Sequence, residues 1–204
     1  MKLAFFLLIL PLLSWVARAG ETVVFEDHFD TKPDSTWRWL REEAPDWRVR
    51  QGALEIHIQP GDANTVRNAL LRPAPDRRQG RFAVEVTVTS LKRPQQQYEQ
   101  AGLTWYTGGK PVFKLVKELV DGQLMIIPGR VPMTNETVRL RLVVSGNSWT
   151  AQFRPDGQGR FQTAATGELP VPAADEVSLQ CYHGPADAEH WIRFDDFRVL
   201  KQEE

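Results

Sequence analysis

A period-two alternation of apolar and polar residues runs through most of this chain and leaves room for little except β-structure. Leu54, Ile56 and Ile58 alternate with Glu55 and His57. Phe82, Val84, Val86 and Val88 alternate with Ala83, Glu85, Thr87 and Thr89. Val138, Leu140 and Leu142 alternate with Arg139 and Arg141, and Trp149, Ala151 and Phe153 with Thr150 and Gln152. Successive side chains on a strand point to opposite faces, so each run offers one face to a core and one to water. The runs are bounded by turn-forming residues: Asp121-Gly122, Ser145-Gly146-Asn147-Ser148 and Pro155-Asp156-Gly157. No long amphipathic helix pattern interrupts them, and Leu40–Ala44 has room for one turn at most. Many short strands without interleaved helices predict an all-β antiparallel sandwich or jelly roll.

The N-terminus reads differently. Lys2 is followed by a mostly apolar run, Leu3–Val16, and then by Ala17-Arg18-Ala19. A cation, a short apolar stretch and a small-x-small site form a secretory signal peptide, cleaved before Gly20; the run is too short for a membrane anchor. Residues 20–204 then form one domain, long enough to bury a core without crosslinks. Removing Lys2 and Arg18 takes the formal charge from −1 to −3. That balance excludes the strong basic field of a nucleic-acid binder, and no second apolar run is long enough to span a bilayer. The single cysteine, Cys181, alternates in phase with Val177 and Leu179 and is expected as a buried thiol.

The richest segment is Tyr98–Glu118. It reads as two strands joined by Thr107-Gly108-Gly109-Lys110-Pro111, in which two glycines supply positive φ. Ala101, Leu103 and Trp105 share one face with Phe113 and Leu115 on the next strand. The opposite face collects Tyr98, Gln100, Gly102, Thr104 and Tyr106, then Lys114, Val116 and Glu118. Gln180 and Tyr182 alternate away from Val177, Leu179 and Cys181 and are placed with them. Aromatic rings that stack on C–H surfaces, beside amides and charges that bond hydroxyl pairs, suit a polysaccharide or oligosaccharide partner. The expected ligand-binding residues are therefore Tyr98, Gln100, Tyr106, Lys114, Glu118, Gln180 and Tyr182. Trp47 and Trp105 are expected in the core, and Trp37 or Trp39 in the core or as a stacking platform.

These segments also resemble a known superfamily. Gln100-Ala101-Gly102-Leu103, a following aromatic, a short glycine turn, Lys114-Leu115 and an acidic residue are similar to the concanavalin A-like lectin/glucanase superfamily. Phe25–Asp30 before a tryptophan segment, Val177–Tyr182, and Arg193–Val199 as the last strand complete the order. The chain is most similar to the "regulation of enolase" domain family and to the C-terminal accessory domain of some β-xylosidases. The resemblance implies a concanavalin A-like sandwich and a lectin-like, non-catalytic role. Glucanases of the superfamily carry Glu-x-Asp-x-x-Glu on one strand, and no such run occurs here. The alternatives are a glycoside or keto-disaccharide hydrolase using Glu118 as a catalytic carboxylate, and a structural or protein-interaction module of the cell envelope.

Two acidic clusters suggest a metal. Glu26, Asp27 and Asp30 lie near the start, and Asp195 and Asp196 near the end. First and last strands of a jelly roll often adjoin, and carboxylates with loop carbonyls suit calcium. The resemblance makes Asp27 and Asp195 the expected ligands of a structural calcium; the alternative is that these acids cap turns at strand ends.

Overall fold

A computed structural model describes residues 20–155 and 159–203. The expected signal peptide, residues 1–19, and the Asp156-Gly157 part of one expected turn lie outside the described residues.

The chain order is β1 (Glu21–Asp27), β2 (Arg38–Leu40), a 3-10 turn (Ala44–Asp46), β3 (Trp47–Val49), β4 (Leu54–His57), β5 (Ala69–Pro73), β6 (Arg81–Ser90), β7 (Gln100–Thr107), β8 (Lys110–Val120), β9 (Gln123–Ile127), β10 (Val131–Pro132), β11 (Thr137–Ser145), β12 (Ser148–Pro155), β13 (Gln162–Glu168), β14 (Asp175–Tyr182) and β15 (Trp191–Gln202). One sheet runs β13-β12-β11-β6-β15-β4-β3, with β1 also on β15; the other runs β10-β9-β8-β7-β14-β5-β2. Each strand pair is antiparallel. This is the expected all-antiparallel two-sheet sandwich.

The alternation read in the sequence decides which residues meet between the sheets. Val84, Val86 and Val88 from β6 join Val138, Leu140 and Leu142 from β11. From the other sheet come Leu103 and Trp105 of β7, Leu115 of β8 and Val177 and Leu179 of β14. Cys181 is buried in the same core, and burial pushes its thiol pKa up, so it is an inert packing residue. Trp105 and Trp37 are core residues, while Trp39 and Trp47 pack against the core from its margin, their rings 4.7 Å apart and tilted by 33°.

The outer face of the first sheet is polar, as the alternation requires, but it is not open to water. Glu85 faces Arg141 across the β6–β11 register and bonds both Arg139 and Arg141. Long side chains lying flat cover one another there.

The β7–β8 hairpin closes through Gly108 (φ 59°) and Gly109 (φ 75°), with Thr107 paired to Lys110. Two successive positive φ values define the tight turn whose twist matches that of the flanking strands. Farther along β7, a Cβ at Gly102 would stand 2.3 Å from the Leu115 carbonyl oxygen and 2.8 Å from Leu140 Cδ1. Only glycine lets β7 approach β8 at that point.

Candidate functional site

The outer face of the second sheet brings the expected polar residues together, with three differences from the sequence reading. Lys114 stands at the centre. Its ammonium donates to Gln100 Oε1 (2.7 Å) and Glu118 Oε2 (2.9 Å). The β7–β8 register explains this, since Gln100 is paired directly with Glu118 and Thr104 with Lys114. Gln100 in turn donates to the Tyr98 carbonyl (2.8 Å). An amide, an ammonium and a carboxylate are thus fixed relative to one another before any ligand arrives.

The first difference is Tyr98. The alternation assigns it to the strand, yet β7 begins at Gln100, and Tyr98 lies in the preceding turn with φ 67°. The cause is Glu99, whose Oε2 accepts from the backbone N–H of Gln95 and Gln96 while Oε1 meets His190 Nδ1 at 2.7 Å. The buried Glu99 anchors a turn, and that turn presents the Tyr98 ring at 48% exposure.

The second difference concerns Tyr106 and Gln180. Both point to the expected face, and the Tyr106 hydroxyl donates to Gln180 Oε1 (2.9 Å), which Ser178 Oγ also reaches at 2.8 Å. Both are buried, because Val66, Ala69, Leu71 and Tyr182 close over Tyr106. Val66 comes from the segment between β4 and β5, Ala69 and Leu71 from β5 and Tyr182 from β14. Asp62 folds the β4–β5 segment by accepting from the backbone N–H of Asn64 (2.8 Å) and Thr65 (3.0 Å). Those bonds hold the Asp62 carboxyl below its ordinary pKa. Arg41 ties the segment down by donating to the Val66 and Asn64 carbonyls. Tyr106 and Gln180 support the face and do not reach its surface.

Two adjoining clefts open on this face. One, of about 430 Å³, is polar and is lined by Asp62, Tyr98, Gln100, Glu118 and His183. The other, of about 440 Å³, is walled by Val112, Phe113, Ile127, Pro128 and Trp149, with Thr104 beside them. Ala63, Asn64, Lys114 and Tyr182 line both. Both volumes fall in the range of small-ligand sites. The Tyr182 ring lies 5.5 Å from His183, and burial pushes its phenol pKa up, which keeps it a neutral hydrogen-bond donor. Sequence reasoning missed Asp62, Asn64 and His183. The turn chemistry of Gly61–Thr65 marks a loop, but nothing local says which face that loop covers.

The third difference concerns the metal. β1 and β15 do lie side by side, with Asp27 paired to Phe197. Asp27, however, is used within the fold: Oδ1 accepts from Phe29 N, and Oδ2 from Asp34 N and Trp37 Nε1, each at 2.9 Å. Asp195 stands instead with His28 and Asp196, whose ligand atoms lie within 4.8 Å of one another. Asp196 already bonds His28 (2.9 Å) and the guanidinium groups of Arg139 and Arg198, each at 3.3 Å. Asp195 accepts from Asp196 N at 2.6 Å. Asp27 thus serves as a turn cap, and Asp195 stands beside the ion-pair cluster of His28, Asp196, Arg139 and Arg198, so the two expected calcium ligands are engaged in separate groups.

Solved structures share the fold. The chain is similar to a xylan β-1,4-xylosidase from Bacillus halodurans C-125, with TM-score 0.70 and 18% identity over 86% of this chain and 39% of that one. It is similar to the GH43 BlXynB protein from Bacillus licheniformis, with TM-score 0.67 and 16% identity over 86% and 39%. A CBM2 module of the Lactobacillus casei BL23 phage J-1 evolved Dit matches with TM-score 0.58 and 11% identity over 92% and 98%. The chain therefore spans about two fifths of the length of those two Bacillus chains. No curated protein matches the sequence. Residues 26–199 match the β-xylosidase C-terminal concanavalin A-like domain, and the chain belongs to that family.

Proposed function

We propose that this chain is a secreted, non-catalytic carbohydrate-binding module, and that it takes a saccharide in the polar cleft between Tyr98 and Tyr182. One observation carries the reading: Gln100, Lys114 and Glu118 form a hydrogen-bonded set beside the exposed Tyr98 ring. The phenol ring offers a flat face for sugar C–H groups, and the fixed amide, ammonium and carboxylate offer paired donors and acceptors for adjacent hydroxyls. Because the polar groups are already held in place, binding freezes few rotamers. Membership of a domain family found in xylosidases supports sugars as the partner class. The N-terminal run Lys2–Ala19 supports export.

The test is retention of the full chain on xylan and on a panel of immobilised glycans, alongside Tyr98→Ala and Glu118→Gln, with folding checked by circular dichroism. Retention that is lost in both variants, without release of reducing ends, is the expected result. Release of product that stops in Glu118→Gln would make the protein a hydrolase instead. No retention of a folded protein on any glycan would overturn the reading. Export is checked separately by sequencing the N-terminus of the exported chain, which is expected to begin at Gly20.

A further inference from the structure

The apolar cleft beside the polar one is not needed for an ordinary sugar. Its walls are Val112, Phe113, Ile127, Pro128 and Trp149, and the Phe113 and Trp149 rings pack at 4.4 Å. Val112 is 38% exposed on the rim, so apolar surface is left facing the opening. Thr104 is 1% exposed and lines this cleft, and its Oγ1 has no hydrogen-bond partner among the described residues. A buried hydroxyl without a partner carries a cost that a ligand acceptor or donor would relieve. Lys114 lines both clefts, but its ammonium is turned to Gln100 and Glu118, which line only the polar one. Its charge is therefore held on the polar side of the boundary.

From this division we infer that the site takes a saccharide bearing an apolar substituent, an acyl, alkyl or aryl group. The sugar lies against Tyr98, Glu118 and His183, and the substituent lies between Val112 and Trp149. The join passes Lys114 and Tyr182, where the two clefts meet, and Thr104 meets the linking oxygen. This inference rests on the carbohydrate-binding reading and adds a class of ligand to it. It follows that a plain sugar fills only half of the available site and binds more weakly than its substituted form.

Matched methyl and hexyl β-glycosides of xylose, glucose and galactose test this by titration calorimetry on the full chain. For the sugar that binds, the hexyl glycoside is expected to bind at least tenfold more tightly than the methyl glycoside. Val112→Asp, at an exposed position, places a charge in the apolar cleft and is expected to erase that ratio while leaving methyl glycoside affinity within about twofold. Thr104→Val keeps the side-chain shape and is expected to weaken the hexyl glycoside while leaving thermal stability unchanged or raised. Equal affinity for methyl and hexyl forms, with the methyl form still binding, would overturn the inference and leave the sugar-binding reading standing. Hexyl binding that ignores the sugar and survives Tyr98→Ala would also overturn it, because the clefts would then act separately. No binding of any glycoside, together with no retention on glycans, would overturn both.

Discussion

Lys114 Nζ lies 2.9 Å from Glu118 Oε2, four residues along the same strand. Gln100 Oε1 is 2.7 Å from the same ammonium on the neighbouring strand. The lysine is one-third exposed and the glutamate nearly buried, at 33% and 7% of their side chains. The pair fixes the geometry of the site, and removing the lysine leaves the nearly buried Glu118 carboxylate without its partner. Lys114→Met is therefore expected to lower saccharide affinity about tenfold and to cost about 1–3 kcal/mol of unfolding free energy. Lys114→Arg, which keeps the charge, is expected to restore most of the stability and less of the affinity. Calorimetric titration and urea denaturation of the same sample separate the two effects.

Arg77 gives a different pattern. Its side chain is fully buried; Nε is 2.8 Å from Asp175 Oδ2, and the guanidinium also donates to the Gly146 and Pro170 carbonyls. It thus joins the loop before β6, the β11–β12 turn and the loop before β14. Removing one partner of a buried ion pair strands the other and costs about 3–5 kcal/mol. Arg77→Ala is expected to lose about that much in chemical denaturation. Arg77→Lys is expected to recover only part of it, because an ammonium lacks the forked donor geometry. Saccharide affinity of the folded fraction should not change.

Lys117 makes stability depend on pH. It shares the inward phase of Phe113 and Leu115, and its ammonium is buried against the Asn135 and Glu136 carbonyls at 2.8 and 2.6 Å. Burial lowers its pKa from 10.5 to about 8. Between these values the unfolded chain holds a proton that the folded chain has released, so stability rises with pH. The buried Cys181 thiol, raised from 9.0, acts the other way above about pH 9, and the buried phenols of Tyr106 and Tyr182, both raised, do so above about 10. Unfolding free energy is therefore expected to climb by only about 1 kcal/mol from pH 8 to pH 10. The same denaturation series on Lys117→Met should instead fall over that interval, by about 1 kcal/mol.

Gly102 controls how closely β7 meets its neighbours. The 2.3 Å approach of a Cβ to the Leu115 carbonyl oxygen is to backbone, which cannot swing aside. Gly102→Ala is expected to destabilise by at least about 1–3 kcal/mol, read as a lowered thermal midpoint.

Much of this architecture is legible in the sequence because strand alternation is a local signal. The inward sets Val84-Val86-Val88 and Leu103-Trp105 occupy the core as the alternation requires. The Gly108-Gly109 turn is equally readable, since few residues other than glycine accept two successive positive φ values. The grouping of Gln100, Lys114 and Glu118 follows from the same alternation once the hairpin is placed. Other features depend on contacts that no local pattern encodes. Tyr98 continues the alternation, but the buried Glu99–His190 contact converts its neighbourhood into a turn. Tyr106 and Gln180 look like site residues until the segment carrying Val66 folds over them. Asp27 has the composition of a metal ligand and the role of a turn cap, which appears only when Trp37 Nε1 is placed against it.

The central claim is that saccharide binds on the outer face of the second sheet. Amide chemical-shift mapping of the isotope-labelled full chain, titrated with the glycan that retains it best, tests this most directly. The account predicts shifts confined to residues 62–64, 98–100, 114–118 and 182–183. Shifts gathered instead around the separate cleft of Asp46, His57 and Trp191 on the first sheet, or none at saturating glycan, would contradict it.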